Sequence, residues 1–337
     1  MFARSRGSRT LFVVSLVVVL AACGSPPQEV PAQLPPPAEP AAAPATAVTP
    51  AGRIVPIGTA PEGVVADAVT HTVAVGLREP TVLALVDGRT GEVGARVPLP
   101  GHLRHLQLAG PGGPVLVPDE NSDSLLTVAL PSGQITARVP TGVSPHDSTE
   151  AADGSVFVAN EGGGSVVVVR DGKVVHTFTE QTQPGGLAAV GDLVGVVDVR
   201  QNDLTVYGAR NLTRVGRVPA GAGPTHVLAD RRGRLAVADT RGNALLLFQT
   251  APEVSQVARL ELPGTPYGIT YDSVRDRLWV TLTALNEVVG IDESGPRPTI
   301  VARFPTVRQP DTVAVDSATG RLFVTGTADG VLQLIDP

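Results

Sequence analysis

Residues Pro224 to Phe248 read P-T-H-V-L-A-D-R-R-G-R-L-A-V-A-D-T-R-G-N-A-L-L-L-F, three short apolar runs parted by polar turns. The runs Val227 to Ala229, Leu235 to Asp239 and Ala244 to Phe248 are too short for helices, and the Asp, Gly and Asn between them are turn formers, so each reads as a strand. The same unit recurs along the chain. Segments starting at Pro61, Leu103, Pro145, Pro184, Pro224, Pro266 and Pro310 follow one another at spacings of 39 to 44 residues.

Each copy repeats the pattern with small changes. The first strand reads Val64 to Ala66, Ile269 to Tyr271 or Val313 to Val315, and commonly ends in Asp, as at Asp67, Asp230, Asp272 and Asp316. The second reads V-F-V-A-N at Val156 to Asn160, L-W-V-T at Leu278 to Thr281 and L-F-V-T at Leu322 to Thr325, and the third Val166 to Val169, Val288 to Asp292 and Val331 to Asp336. A fourth ends in Val-Pro or a variant, at Ala95 to Pro98, Ala137 to Pro140, Arg217 to Pro219 and Ala302 to Pro305. Four short strands per unit of about 40 residues describe a blade of a β-propeller, and seven units predict an all-β protein of seven four-stranded blades. The last unit stops at Pro337 after three strands, while Arg53 to Gly58 reads as a fourth strand ahead of the first blade. Pairing the two would close the ring and remove the open sheet edges that a linear array leaves exposed, giving one domain over residues 53–337.

Composition agrees with this and narrows the function. Gly (37) and Pro (31) make many turns available, and an aromatic share of 3% leaves the core to small β-branched and aliphatic side chains. The formal charge is -6 and Lys173 is the sole lysine, so no basic surface suited to a phosphate backbone is expected and nucleic acid is excluded as a partner. One cysteine rules out a disulfide framework and a multi-thiolate zinc site within one chain. A monomer is expected.

That cysteine follows an export signal. Arg4, Arg6 and Arg9 precede the apolar stretch Leu11 to Leu20, which is too short to span a bilayer and is followed by Ala21, Ala22 and Cys23. The run L-A-A-C resembles the bacterial lipobox, which implies a signal peptide over residues 1–22 and acylation of Cys23, and so an exported lipoprotein anchored to membrane lipid, at the outer face of the cytoplasmic membrane or in the periplasm. Residues 23–52 contain nine prolines and eight alanines, and this composition predicts a disordered, partly extended tether.

The P-x-G-I at Pro266, the F-V-A-N of Phe157 to Asn160, the V-x-x-I-D of Val288 to Asp292 and the T-G-E-V of Thr90 to Val93 resemble the YVTN-repeat propellers, the YncE-like group of exported bacterial proteins. The resemblance spans about 85% of the chain and implies a binding or scaffolding module of the cell envelope with a protein or peptide partner. Blade 2 departs from the pattern, with Leu103 for the leading Pro and an inserted turn at Gly110 to Pro114.

In such a fold the residues after each segment start face the channel mouth, where ligand sites gather. One ring reads Glu62, Arg104, His146, Gly185, Thr225, Tyr267 and Asp311, and the next Gly63, His105, Asp147, Gly186, His226, Gly268 and Thr312. The candidate ligand-binding set is therefore Glu62, Arg104, His105, His146, Asp147, His226, Tyr267 and Asp311. The second-to-third strand loops add Glu120, Asn121, Asp123, Asn160, Glu161, Arg200, Asp239, Arg241 and Asn286 as a polar rim, with turn chemistry as the alternative for each. Imidazole and carboxylate together can hold a divalent metal, with Glu62, His146 and Asp311 as the candidate ligands. The E-G after Pro61 and the P-D at Pro310 resemble gluconolactonase-type propellers, which implies a lactonase-like, metal-dependent hydrolase as the alternative to a non-catalytic module. The Asn ligands of that group have no counterpart in the ring, and otherwise these polar side chains serve to bond neighbouring blades. No cofactor is expected beyond a possible divalent ion, and no catalytic residue is assigned. Ser144-Pro-His-Asp147 makes no relay, because neighbours on an extended chain point to alternate sides.

Overall fold

Every blade begins where an apolar run meets an antiparallel partner across a turn. In the computed structural model, which describes residues 1–3 and 35–337, the described residues form seven four-stranded antiparallel sheets. Blade 3 is representative: Pro145–Glu150, Val156–Asn160, Ser165–Arg170 and Lys173–Phe178 pair in sequence order, innermost first. The apolar stretch, Cys23 and the first part of the expected tether fall in residues 4–34 and lie outside the described residues.

The seventh sheet confirms the expected closure. Arg53–Pro56 pairs antiparallel with Val331–Ile335, placing Arg53 opposite Leu334 and Pro56 opposite Val331, so the two ends of the propeller share one blade. On the opposite rim, His71 Nδ1 of blade 1 lies 2.6 Å from Asp316 Oδ2 of blade 7, a second link across the same seam.

Apolar packing lies between the blades. Seven clusters of buried side chains are distinguishable, each shared by two neighbouring sheets: Phe157 and Val168 of blade 3 pack with Leu187 and Tyr207 of blade 4, and Val73 and Leu77 of blade 1 with Phe323 and Leu332 of blade 7. The fourth strands are mostly exposed, as the pattern of Ile135–Pro140 shows, because none of the described residues covers their outer edge. The inner strands of all seven blades surround a central cavity of about 350 Å³.

Two features position the functional face. In five blades the leading proline lies in the inner strand, as its first residue in all but blade 1, and the pairing slips just after it, between Pro61 and Val64, Pro145 and Asp147, Pro184 and Leu187, Pro224 and His226, and Pro266 and Ile269. Such irregularities re-aim side chains out of the regular alternation, and here they fall on the ring residues. Space is tight there: a Cβ on Gly268 would meet the Asp311 carbonyl oxygen at 2.5 Å. In blade 2, where Leu103 replaces the proline, the inner strand shrinks to Gln107–Leu108.

Residues 35–44 differ from the expected disordered tether. From Pro35 to Pro44 the chain is fastened to the body by hydrogen bonds, and Ala38 and Ala43 are buried. Composition gives a segment with almost no large apolar side chain to bury, but the bonds go to its backbone, which composition does not reveal.

Candidate functional site

Turn chemistry builds the rim of the channel face. Asp198 accepts from the amides of Thr182, Gln183, Arg200 and Gln201, and Asp239 from those of Ala222, Gly223 and Gly242, so each carboxylate ties its own loop to the strand connection before it. Asp119 does the same for Gly101 and caps the short 3₁₀ turn Glu120–Ser122 through the Ser122 amide. In blade 3 the Asn160 side chain donates to the Thr141 carbonyl, and the next residue is Glu161. These fixed loops carry Glu120 and Glu161 to the mouth.

Between them sits His146. Its Nδ1 lies 3.0 Å from Glu161 Oε2 and 3.5 Å from Glu120 Oε1. Burial disfavours the imidazolium, but hydrogen bonding and charge from the two glutamates outweigh it and push the His146 pKa up to about 9. Burial opposes ionisation of Glu161, yet His146, Gln183 and Arg104 together bring its pKa down to about 2. Gln183 Nε2 donates to the other Glu161 oxygen at 3.0 Å. The result is a positive imidazolium clamped between two carboxylates.

The neighbouring imidazoles are of the opposite character. His105 packs edge to face against both His146 and His226, with ring centres 4.6 Å apart in each case, and His226 continues the row to Tyr267 at 4.5 Å. Burial, aided by repulsion from His146, lowers His226 to about 3 and His105 well below its ordinary value, so both are neutral at pH 7. His226 Nδ1 lies 3.1 Å from the Thr225 hydroxyl, which lies 2.7 Å from that of Thr240, while its buried Nε2 has no partner among the described residues. This row closes one end of the channel: His105 lines both the central cavity and a separate chamber of about 100 Å³ at the mouth.

Glu39, Pro40, Glu62, Arg104, Tyr267, Asp311 and Thr312 complete that chamber. Glu62 is paired with Arg78, Nε to Oε2 2.7 Å, yet burial still raises its pKa. Burial, with the Glu62 charge nearby, raises Asp311 to about 6 against the bond it accepts from Gln309 Nε2 at 2.8 Å. Arg104 stands between Glu39 at 3.8 Å and Glu120 at 3.7 Å.

The structure thus brings seven of the eight candidate residues to one end of the channel and corrects two expectations. Glu62, His146 and Asp311 do not form one ligand set. Among the described residues, the group that could share a metal ion is Glu120, His146 and Glu161, because Glu62 and Asp311 turn to Arg78 and Gln309. Asp147 is a structural clamp rather than a ligand at the mouth. Its carboxylate accepts from Gln107 Nε2 at 3.0 Å and from the amides of Leu187 and Ser148 at 2.8 Å, joining blades 2, 3 and 4, and it orients no histidine. The glutamates stand in the polar rim read from the loops, and their partnership with His146 is visible only once blades 2 and 3 are side by side.

The chain matches no profile of a known protein family and no curated protein sequence. Its fold is similar to that of solved propellers. Kuenenia stuttgartiensis hydrazine synthase is 16% identical, with a TM-score of 0.72 over 83% of this chain and 96% of that one. A streptogramin B lyase is 15% identical, with a TM-score of 0.69 over 85% of this chain and 96% of that one. The Cps50 (Swd1) propeller domain of Myceliophthora thermophila is 11% identical, with a TM-score of 0.69 over 85% of this chain and all of that one. A lyase, a synthase and the Cps50 (Swd1) propeller domain share this architecture, so the likeness concerns form and not chemistry. What this chain has in common with them is the seven-bladed propeller fold.

Proposed function

We propose that this chain is an exported, lipid-anchored propeller of the YVTN-repeat kind that binds a partner in the cell envelope with its channel face and does not transform it. The observation that supports this most is the use of charge at the mouth. Glu62, Arg104, Glu120, His146 and Glu161 lie on separate loops and strands yet converge there, each engaged with an opposite charge, and all but the buried His146 are partly open to solvent. Such groups recognise a complementary surface, and the Thr225 hydroxyl beside the neutral His226, the nucleophile a covalent hydrolase would need there, is tied to Thr240.

Two measurements test the proposal in the producing cell. A clickable fatty acid should label the wild type and not Cys23→Ala. A photo-crosslinking residue at Arg104, on the mouth, should capture a discrete partner, whereas one at Lys173, on an outer strand, should not. Identical capture at both positions would count against the channel face as the binding surface.

One observation favours a second reading, a divalent cation at Glu120, His146 and Glu161. Ligand atoms arranged tetrahedrally at ~2.1 Å from a metal lie about 3.4 Å from one another, and the His146 Nδ1 to carboxylate distances are 3.0 and 3.5 Å. Zinc titration followed by calorimetry decides this: binding at one equivalent, lost in His146→Ala, supports the metal, and no heat change leaves the imidazolium as the resident cation.

A further inference from the structure

The segment Pro35 to Pro44, P-P-P-A-E-P-A-A-A-P, lies across the channel face as a ligand would. Arg200 Nη1 of blade 4 donates to the Pro35 carbonyl at 2.9 Å, and Arg241 Nη2 of blade 5 to the Pro36 carbonyl. At the centre Glu39 faces Arg104 of blade 2 at 3.8 Å, and Glu39 and Pro40 form one wall of the mouth chamber. Beyond it, the Ala41 amide donates to Thr283 Oγ1 of blade 6 at 3.1 Å. The Gln309 carboxamide then grips two residues at once, donating to the Ala41 carbonyl at 2.9 Å and accepting from the Ala43 amide at 2.8 Å. Asn286 Nδ2 donates to the Pro44 carbonyl at 2.9 Å.

These contacts read a backbone and a single charge. Every hydrogen bond named goes to a main-chain amide or carbonyl of the segment, and the only side chain of the segment paired with the body is the Glu39 carboxylate. Its five prolines carry no N–H that would need a partner, and they restrict the free chain towards the extended form, which lowers the entropy lost on docking. A face that bonds a proline-rich main chain from four blades while one arginine meets a central carboxylate has the features of a groove for extended proline-rich peptides.

We propose that the channel face is a docking groove for a partner's extended, proline-rich segment bearing a central acidic residue, and that residues 35–44 fill this groove in cis until such a segment displaces them. The proposal rests on the binding reading above and supplies its partner class. A tethered segment acts at an effective concentration on the order of millimolar, so a partner must be locally abundant or must bind more tightly than the chain's own segment.

The test uses the full chain with residues 35–44 replaced by an equal length of Gly and Ser. The probe is the synthetic peptide of residues 35–45 carrying fluorescein, followed by anisotropy. Saturable binding to the replaced chain is expected, with the wild type at least roughly tenfold weaker because its own segment competes. Gln309→Ala, which removes two hydrogen bonds, should weaken peptide binding by about tenfold. Absence of binding to the replaced chain, or equal binding to wild type and insensitivity to Gln309→Ala, overturns the proposal. Should the replaced chain fail to fold, hydrogen exchange of the unaltered protein serves instead. The Ala41 and Ala43 amides should exchange more slowly than that of Ala42, with Ala43 losing its protection in Gln309→Ala and Ala41 losing it in Thr283→Ala, and equal exchange at all three refutes the docking. If the peptide fails while a residue at Arg104 still captures a partner, the peptide class falls and the binding reading stands.

Discussion

Closure of the ring is tested at Ile57, just past the strand Arg53–Pro56. Ile57 is 1% exposed and belongs to the cluster that joins blades 1 and 7, with Val64, Leu77, Val82 and Leu334 around it. Its backbone is fixed as well, its amide donating to the Gly330 carbonyl at 3.0 Å and its carbonyl accepting from Arg96 Nη2 at 2.7 Å. Truncating a buried isoleucine to alanine removes its transfer free energy and leaves a cavity, about 3 kcal/mol together. For a domain of this size each kcal/mol lowers Tm by roughly 2 °C, so Ile57→Ala should melt about 6 °C below wild type. Ile54, three residues earlier on the same segment, is 43% exposed. Ile54→Ala should cost no more than about 0.5 kcal/mol, about 1 °C. Circular dichroism on both variants reads the difference directly. Equal shifts, or an Ile57→Ala shift below about 2 °C, would mean that this segment does not seal the seam as described.

Two further outcomes follow from the mouth and its packing. In NMR titration, the imidazole of His146 should stay charged through pH 7 and lose its proton near 9, while His226 stays neutral down to about 3. Because the folded His146 pKa lies above its ordinary value of 6.5, its contribution to stability is complete below about 6.5 and is lost as pH rises through 9, and Glu161→Gln should move the midpoint down. Gly268→Ala should cost about 1 to 3 kcal/mol in urea unfolding, since its Cβ would meet the Asp311 carbonyl oxygen and Thr312 Cα of the next blade; an unchanged midpoint would show that the two inner strands are not in that contact.

The propeller was legible because each blade is written locally. Strands such as Val156–Asn160 carry their own apolar run and turn, and the repeat of about 40 residues counts the blades without knowledge of their packing. The closing strand was legible for the same reason, as the fourth strand missing after Pro337 and present at Arg53. The mouth was only half legible. Position after each segment start picked out His105, His146, His226 and Tyr267, since the pairing slips at that point in most blades. It did not reveal that Glu120 and Glu161 flank His146, because these come from loops of different blades, or that Asp147 is spent on Gln107 and Leu187. Least legible was the seat of residues 35–44, where Thr283, Asn286 and Gln309 bond main-chain atoms that look alike in every sequence.

Sharing one sheet between the two ends also sets a timetable for folding. Pro56 precedes its partner Val331 by 275 residues, so the seam stays unpaired while the rest of the chain is made. At ordinary synthesis rates the wait is on the order of tens of seconds. During that interval the early blades have exposed strand edges and an uncovered apolar flank, the condition in which chains associate wrongly. A product truncated before Val331 never leaves that condition, whereas a chain that carries Val331–Ile335 can pair the seam and leave it.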